Sequence, residues 1–263
     1  MLSIEVHNLQ KRFGDLAAVQ GVSFGVEEGS IFAFLGPNGA GKTTTIRMLT
    51  TLLKPTEGTI LLNGVDPVHH EDEARKLFGI VFQDPSIDEE LTAYENMDLH
   101  GVLYRMSRVL RAERIKQLMN VVELWDRKDE IVKHFSGGMR RRLEIARGLI
   151  HHPKILFLDE PTIGLDPQTR NHIWSYVKGL NKEEGITVFL TTHYMEEADR
   201  VADYVAVIDH GAIVAQDTPE GLKQKTGVAS LEDAFLSLTG KSIREESAGS
   251  IDQMRMHARV WRR

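Results

Sequence analysis

The 263-residue sequence predicts an α/β fold: a parallel sheet closed by helical crossovers, one of which carries a helical insert. Three observations carry this reading. The apolar runs SIFAFL (30–35), ILFL (155–158), TVFLTT (187–192) and YVAVI (204–208) are strand-sized, and helical stretches separate the later ones, as parallel strands require. GPNGAGKT (36–43) joins the first of these runs to a helix through glycines. More than a hundred residues then separate Thr43 from Ile155, too many for a single crossover.

Taken in order, Ser3 to Val6, VSFGV (22–26), SIFAFL (30–35) and GTILLNG (58–64) read as strands broken by glycine turns, so the N-terminal part is strand-rich. Thr43 to Leu53 favours a helix that stops before Lys54-Pro55, because the residue preceding a proline avoids helical geometry. GIVFQ (79–83) reads as a strand ending at Gln83. Helical periodicity then takes over, at Glu89 to Arg105 and Arg111 to Leu124. A further helix after HFSGG has Met139, Leu143, Ala146 and Ile150 on one face. Strands return from Ile155. Beyond Gly240 the residues are polar and end in MRMHARVWRR, which reads as a loose basic tail. The expected division is therefore 1–240 as the working domain, with the insert at about 84–152, and 241–263 as the tail.

Composition narrows the function. The 32 Lys plus Arg against 38 Asp plus Glu leave a net charge of -6, which offers no general attraction to a nucleic acid. With no cysteine there is neither a disulfide framework nor a thiol nucleophile. The N-terminal MLSIEVHNLQKRFG puts charges where a signal peptide needs its apolar stretch, and no apolar run is long enough to span a bilayer.

The chemistry is concentrated in a few stretches. In GPNGAGKT (Gly36, Pro37, Asn38, Gly39, Ala40, Gly41, Lys42, Thr43) the glycines let the backbone wrap closely and aim its N–H groups inward. The helix N-terminus adds roughly half a positive charge. Lys42 adds a full one, Thr43 can place its hydroxyl on Mg²⁺, and Thr44 can reach a further phosphate oxygen. ILFLDE (155–160) ends a buried strand in two carboxylates: Asp159 suits Mg²⁺, and Glu160 suits proton removal from an attacking water. Alone, such an acid pair is often only a helix cap. In FSGGM (135–139), Ser136 caps a helix whose N–H groups Gly137 and Gly138 leave bare, the makings of an anion site that lacks its own lysine or metal.

In this order the motifs resemble the nucleotide-binding subunit of ABC transporters over about Ile4 to Gly240. The resemblance implies a P-loop NTPase core of RecA-like type, an N-terminal antiparallel β subdomain and an inserted α-helical subdomain. It implies ATP and Mg²⁺ as ligands, with Phe13 stacking on adenine and Gln83 contacting Mg²⁺ while linking core to insert. FSGGM matches the L-S-G-G-Q signature, with Phe135 for leucine and Met139 for glutamine, so Ser136, Gly137 and Gly138 would complete an ATP site in a second subunit. Asp166 of GLD would lie between the two sites, and His193 would reach the γ-phosphate beside Glu160 and Lys42.

PTIGLDPQTR, TTHYMEEADRVAD and LEDAFLSLTG (231–240) look like the daunorubicin-resistance branch, similar to ATPases of ABC-2 exporters of drugs, lipids or polysaccharides. That branch implies a cytoplasmic subunit held to the membrane by a separate permease, docked near Gln83 to Tyr104 on a face that includes Glu95 and Asn96. It also implies a pairing with a second ATP-binding subunit, either identical or related. Two other readings share the phosphate loop. A soluble, non-transport ABC ATPase would call for a long coiled-coil insertion or fused nucleotide domains, and a small-molecule kinase would need no serine-glycine-glycine helix.

Overall fold

A computed structural model describes residues 1–240; the expected basic tail lies outside the described residues. In chain order the elements are β1 (Leu2–Phe13), β2 (Leu16–Glu27), β3 (Ile31–Leu35), α1 (Lys42–Leu49), β4 (Glu57–Leu62), α2 (Glu71–Leu77), β5 (Phe78–Val81), α3 (Ala93–Leu103), α4 (Arg108–Val121) and α5 (Gly137–Gly148). They continue with β6 (Ile155–Asp159), α6 (Pro167–Glu184), β7 (Thr187–Thr192), α7 (Met195–Val201), β8 (Tyr204–Asp209), β9 (Ala212–Asp217), α8 (Pro219–Thr226) and α9 (Leu231–Thr239).

Two sheets result. The N-terminal one is antiparallel with order β2-β1-β4, and the other runs β5-β6-β7-β3-β8-β9, parallel except for β9. Alternation along each buried strand explains how they stack. Ala33, Leu35, Leu156, Leu158, Val188 and Leu190 point into one core with α4, α5 and α6. Phe32, Phe34, Ile155, Phe157 and Phe189 point into a second core shared with β1, β2 and α1. There Phe24, Phe32 and Phe189 have ring centroids 5.5–5.8 Å apart. The parallel sheet is thus covered on both faces, as such sheets require.

The helical stretch α3–α5 lies between β5 and β6, which are hydrogen-bonded neighbours in parallel register. Local detail departs from the sequence expectations. α1 ends four residues before Leu53, because Thr51 takes φ 63° and Leu52 N–H closes on Arg47 O at 2.9 Å, ending the helix before the proline can. β5 stops at Val81, which leaves Gln83 in the following bend. α3 is shorter than 89–105 because Thr92 caps it late, and α4 is as long as 111–124 but begins and ends three residues earlier because Ser107 caps it. β1 is three times longer than Ser3–Val6, since register shifts between Val6 and Gln10 break its alternation.

Candidate functional site

The order β6-β7-β3 brings three C-terminal strand ends side by side, with Asp159 paired to Thr191 and Leu35 to Thr192. The loop after β3, the acids after β6 and His193 after β7 therefore meet at one edge, where open parallel sheets bind ligands. The glycine loop fits by close approach. A Cβ on Gly36 would lie 2.4 Å from Ile208 O, and Gly41, the α1 cap, has φ 108° with a Cβ position 2.7 Å from Ala18 O.

Lys42 is 5% exposed and donates from Nζ to Gly36 O at 2.7 Å and Pro37 O at 3.2 Å. Its ammonium lies 3.6 Å from Glu160 Oε1. Burial pushes the Lys42 pKa down, with the Glu160 charge opposing it. Glu160 Oε2 accepts from His193 Nδ1 at 2.8 Å, which leaves Nε2 as the outward nitrogen. Burial pushes the Glu160 carboxyl up, but the His193 bond and the Lys42 charge outweigh it and hold the group below the usual carboxylate range. Asp159 behaves oppositely. Burial raises it, and the Thr191 hydroxyl bond at 2.6 Å and the nearby Thr43 hydroxyl only partly offset that. Glu160 itself sits at φ 47°, an uncommon conformation for a residue with a side chain, and its N–H is shared between Thr191 O and Oγ1, both at 3.1 Å.

The other expected residues are spread around this edge. Thr43 and Thr44 stand half-buried in the first turn of α1, Ala40 is buried, and Asn38 and Gly39 are exposed at the loop tip. Gln83 is exposed on the bend after β5. Phe13 is 45% exposed at the end of β1, with Lys11 Nζ 5.2 Å from its ring centre. Asp166 caps α6, accepting from Gln168 N and Thr169 N at 3.0 Å and from Thr169 Oγ1 at 2.6 Å. Ser136 caps α5 through Met139 N at 3.3 Å, and Ser136 and Gly137 are exposed. No hydrogen bond or ion pair among the described residues joins Ser136, Gly137 or Gly138 to Lys42, Asp159 or Glu160. Phe135 is 4% exposed in the core between sheet and insert, and Met139 packs beside that core while its sulfur accepts from Arg127 at 3.2 Å.

One expected docking residue is not on an open face. Asn96 is 4% exposed and is used up internally, bonding Asp88 N and O at 2.9 Å and Thr92 O at 3.1 Å. Glu95 is exposed but closes a capping box with Thr92.

Sequence reasoning missed the residues that fix these loops. Thr191 holds Asp159, and Glu197 accepts from Thr162 Oγ1 at 2.8 Å on both carboxylate oxygens. Glu197 thereby ties the turn after Glu160 to the helix after His193. Both residues lie inside the quoted TTHYMEEAD; the signal was burial, which composition alone does not reveal.

A sequence model described as ABC transporter matches residues 19–163, more than half of the chain. The chain belongs to the ABC transporter family. Among its relatives, the daunorubicin/doxorubicin resistance ATP-binding protein DrrA of Streptomyces peucetius is 45% identical over 225 residues, covering 86% of this chain and 68% of the relative. A Nod factor export ATP-binding protein I from Ralstonia nicotianae is 43% identical, covering 83% and 68%. Among solved structures, an ATP-binding subunit of an ABC transporter superposes with TM-score 0.82 at 29% identity, covering 91% of this chain and all of that one. A dimeric post-hydrolysis ATP-binding cassette bound to ADP and Pi gives 0.73 at 30% identity, covering 82% and 98%. This ABC protein is an ATP-binding, ATP-hydrolysing subunit with the P-loop NTPase fold. No described helix is long and apolar enough to cross a membrane.

Proposed function

We propose that this chain is the ATP-driven motor of an exporter, working as one of two subunits that enclose ATP between the phosphate loop of one and the Ser136 helix of the other. The observation that carries this is the contrast between two half-sites: buried Lys42 and Glu160 and half-buried His193 form a line at the sheet edge, while the Ser136 end of α5 is exposed, with no hydrogen bond from Ser136, Gly137 or Gly138 to those side chains among the described residues. A helix N-terminus bared by Gly137 and Gly138 can take a phosphate that another subunit holds. The dimeric cassettes among the structural neighbours support the pairing.

In this reading Lys42 and the α1 N-terminus hold the ATP phosphates, and Phe13 stacks on adenine. Glu160 takes a proton from the attacking water as its oxygen bonds the γ-phosphorus, the bond from that phosphorus to the bridging oxygen breaks and ADP leaves with the electron pair, and His193 Nε2 steadies the charge on the transferred phosphoryl oxygens. Phosphates drawn to Lys42 would compete with Glu160 for its charge, and losing that support raises the basicity of Glu160 as substrate binds. Asp166 spans towards the second site. The residues also fit Mg²⁺. Asp159, Thr43 and Gln83 offer hard oxygen donors, and the Thr43 hydroxyl lies within hydrogen-bond reach of the Asp159 carboxylate. When bound there, Mg²⁺ would neutralise charge on the phosphate oxygens.

The transport partner is a separate membrane permease. Leu99, Val102, Leu103, Val109 and Leu110 at the junction of α3 and α4 are 49–77% exposed, an apolar face beside the expected Gln83 to Tyr104 region that supports docking there. Outward transport rests on the relatives, which include daunorubicin/doxorubicin resistance, Nod factor export and linearmycin resistance ATP-binding proteins. An ATP-fuelled subunit of that kind works at the cytoplasmic face. The test is size-exclusion chromatography with ATP: Glu160→Gln should elute as a dimer, and adding Ser136→Arg should return it to a monomer that still binds ATP. Full turnover by the single Ser136→Arg variant would refute the shared site.

A further inference from the structure

Three arginines follow Met139, and their side chains part company. Arg140 reaches Phe135 O and Lys133 O, and Arg142 reaches Val122 O, both at the insert's surface. Arg141 turns inward and is 7% exposed. It donates from Nε to Pro161 O at 2.6 Å, from one terminal nitrogen to Glu160 O at 3.2 Å, and from the other to Phe82 O and to Glu144 Oε2, the last at 3.1 Å. Glu144 is 2% exposed, and its second oxygen accepts from Ser86 N at 2.7 Å.

The pair therefore grips two stretches of the core from one helix. Phe82 and Ser86 bracket Gln83, and Glu160 and Pro161 form the strained turn of the carboxylate. Ser136 starts the same helix five positions earlier, about 7.5 Å along its axis. A guanidinium suits this task because its rigid fork can serve several carbonyls at once, which a lysine ammonium cannot reproduce.

We propose that the Arg141–Glu144 pair is a positioning element for ATP cleavage, holding the Gln83 loop and the Glu160 turn in one frame with the helix that presents Ser136. Any shift of that helix on meeting a partner's nucleotide then reaches both loops through rigid contacts. The inference rests on the shared-site reading above.

Buried ion pairs can also serve the fold alone, so the test must separate the two roles. Arg141→Lys keeps the charge against Glu144 but loses the fork. Its kcat should fall roughly 10- to 100-fold while KM for ATP moves less than about threefold. Leu118→Ala, a cavity in the same insert, should lower Tm at least as much yet keep kcat within about twofold. Glu144→Gln, nearly isosteric, is the second variant if Arg141→Lys does not fold, and its kcat should fall about fivefold at unchanged KM. Unchanged kcat in whichever variant folds overturns the proposal, as does an equal loss in Leu118→Ala. An inactive wild-type chain would instead overturn the function proposed above, and the pair's role with it.

Discussion

The phosphate-loop edge and the outward end of α5 are both anion-binding designs, yet they are built to opposite rules. At the edge every charged group is buried and answered within the chain: Lys42 by Gly36 O and Glu160, Glu160 by His193, Asp159 by Thr191. At Ser136 the helix end is exposed and answered only by its own cap. Burial makes the first site stiff and electrostatically strong, and exposure makes the second available. The difference teaches that the charged groups and the pairing surface are assigned to separate regions, so damage at Ser136 should spare nucleotide binding by the single subunit, and damage at Glu160 should spare pairing.

The sharpest break is Glu160→Gln. It removes the proton acceptor and the negative partner of Lys42 while keeping the shape, so turnover should fall about 10²–10⁴-fold with ATP binding retained. Single-turnover kinetics and nucleotide titration would check this. An equal loss of ATP affinity would mean that Glu160 serves binding, and the division between the two regions would fail.

Most of that division is legible in the sequence. The glycine loop, the strand ending in Asp159–Glu160 and the Ser136 cap are local features, set by spacing along the chain, and each lies on the element its spacing implied. What stayed hidden is what depends on burial. Glu197 and Asn96 look like ordinary helix-surface residues in sequence, and only packing shows that both are spent on internal hydrogen bonds. α2 gave no periodic signal because Ala74 is its one buried residue, and β9 is an edge strand whose residues are only half covered. The end of α1 is not legible because a left-handed Thr51, normally a glycine's role, stops it.

Acid should act on the seam where the insert meets the core. There Tyr104 stacks on His151 with ring centres 3.6 Å apart, His100 packs against both, and His151 Nε2 bonds Phe78 O at 3.0 Å. Arg147 faces His100, while His152 and Arg114 face His151. Burial pushes both histidines down to about 4; the bond to Phe78 O opposes this for His151, while Arg147 at His100 and Arg114 at His151 push the same way. A folded-state pKa below the unfolded one means stability that is full above the unfolded value and lost as pH falls through the folded one. The loss therefore runs from about 6.5 to about 4, on the order of 2 kcal/mol for each histidine between pH 7 and pH 5. Thermal melts across that window should show it, and His100→Phe should flatten the slope. A slope unchanged in His100→Phe would put the acid sensitivity elsewhere.

Ser136→Ala is the mildest change and separates the two roles of that residue. Its cap bond is 3.3 Å long and solvent-exposed, so the fold should lose only about 0.5–1 kcal/mol, a Tm fall of roughly 1–4 °C. Asp166→Ala, which gives up two N–H bonds and a hydroxyl bond at the start of α6, should cost more. If the serine mainly serves a neighbour's phosphate, its loss appears instead as a weaker ATP-dependent dimer, read by sedimentation at fixed ATP, with the monomer's nucleotide affinity unchanged. A large Tm loss with dimerisation intact would make Ser136 a fold residue and leave the outward helix end without its assigned task.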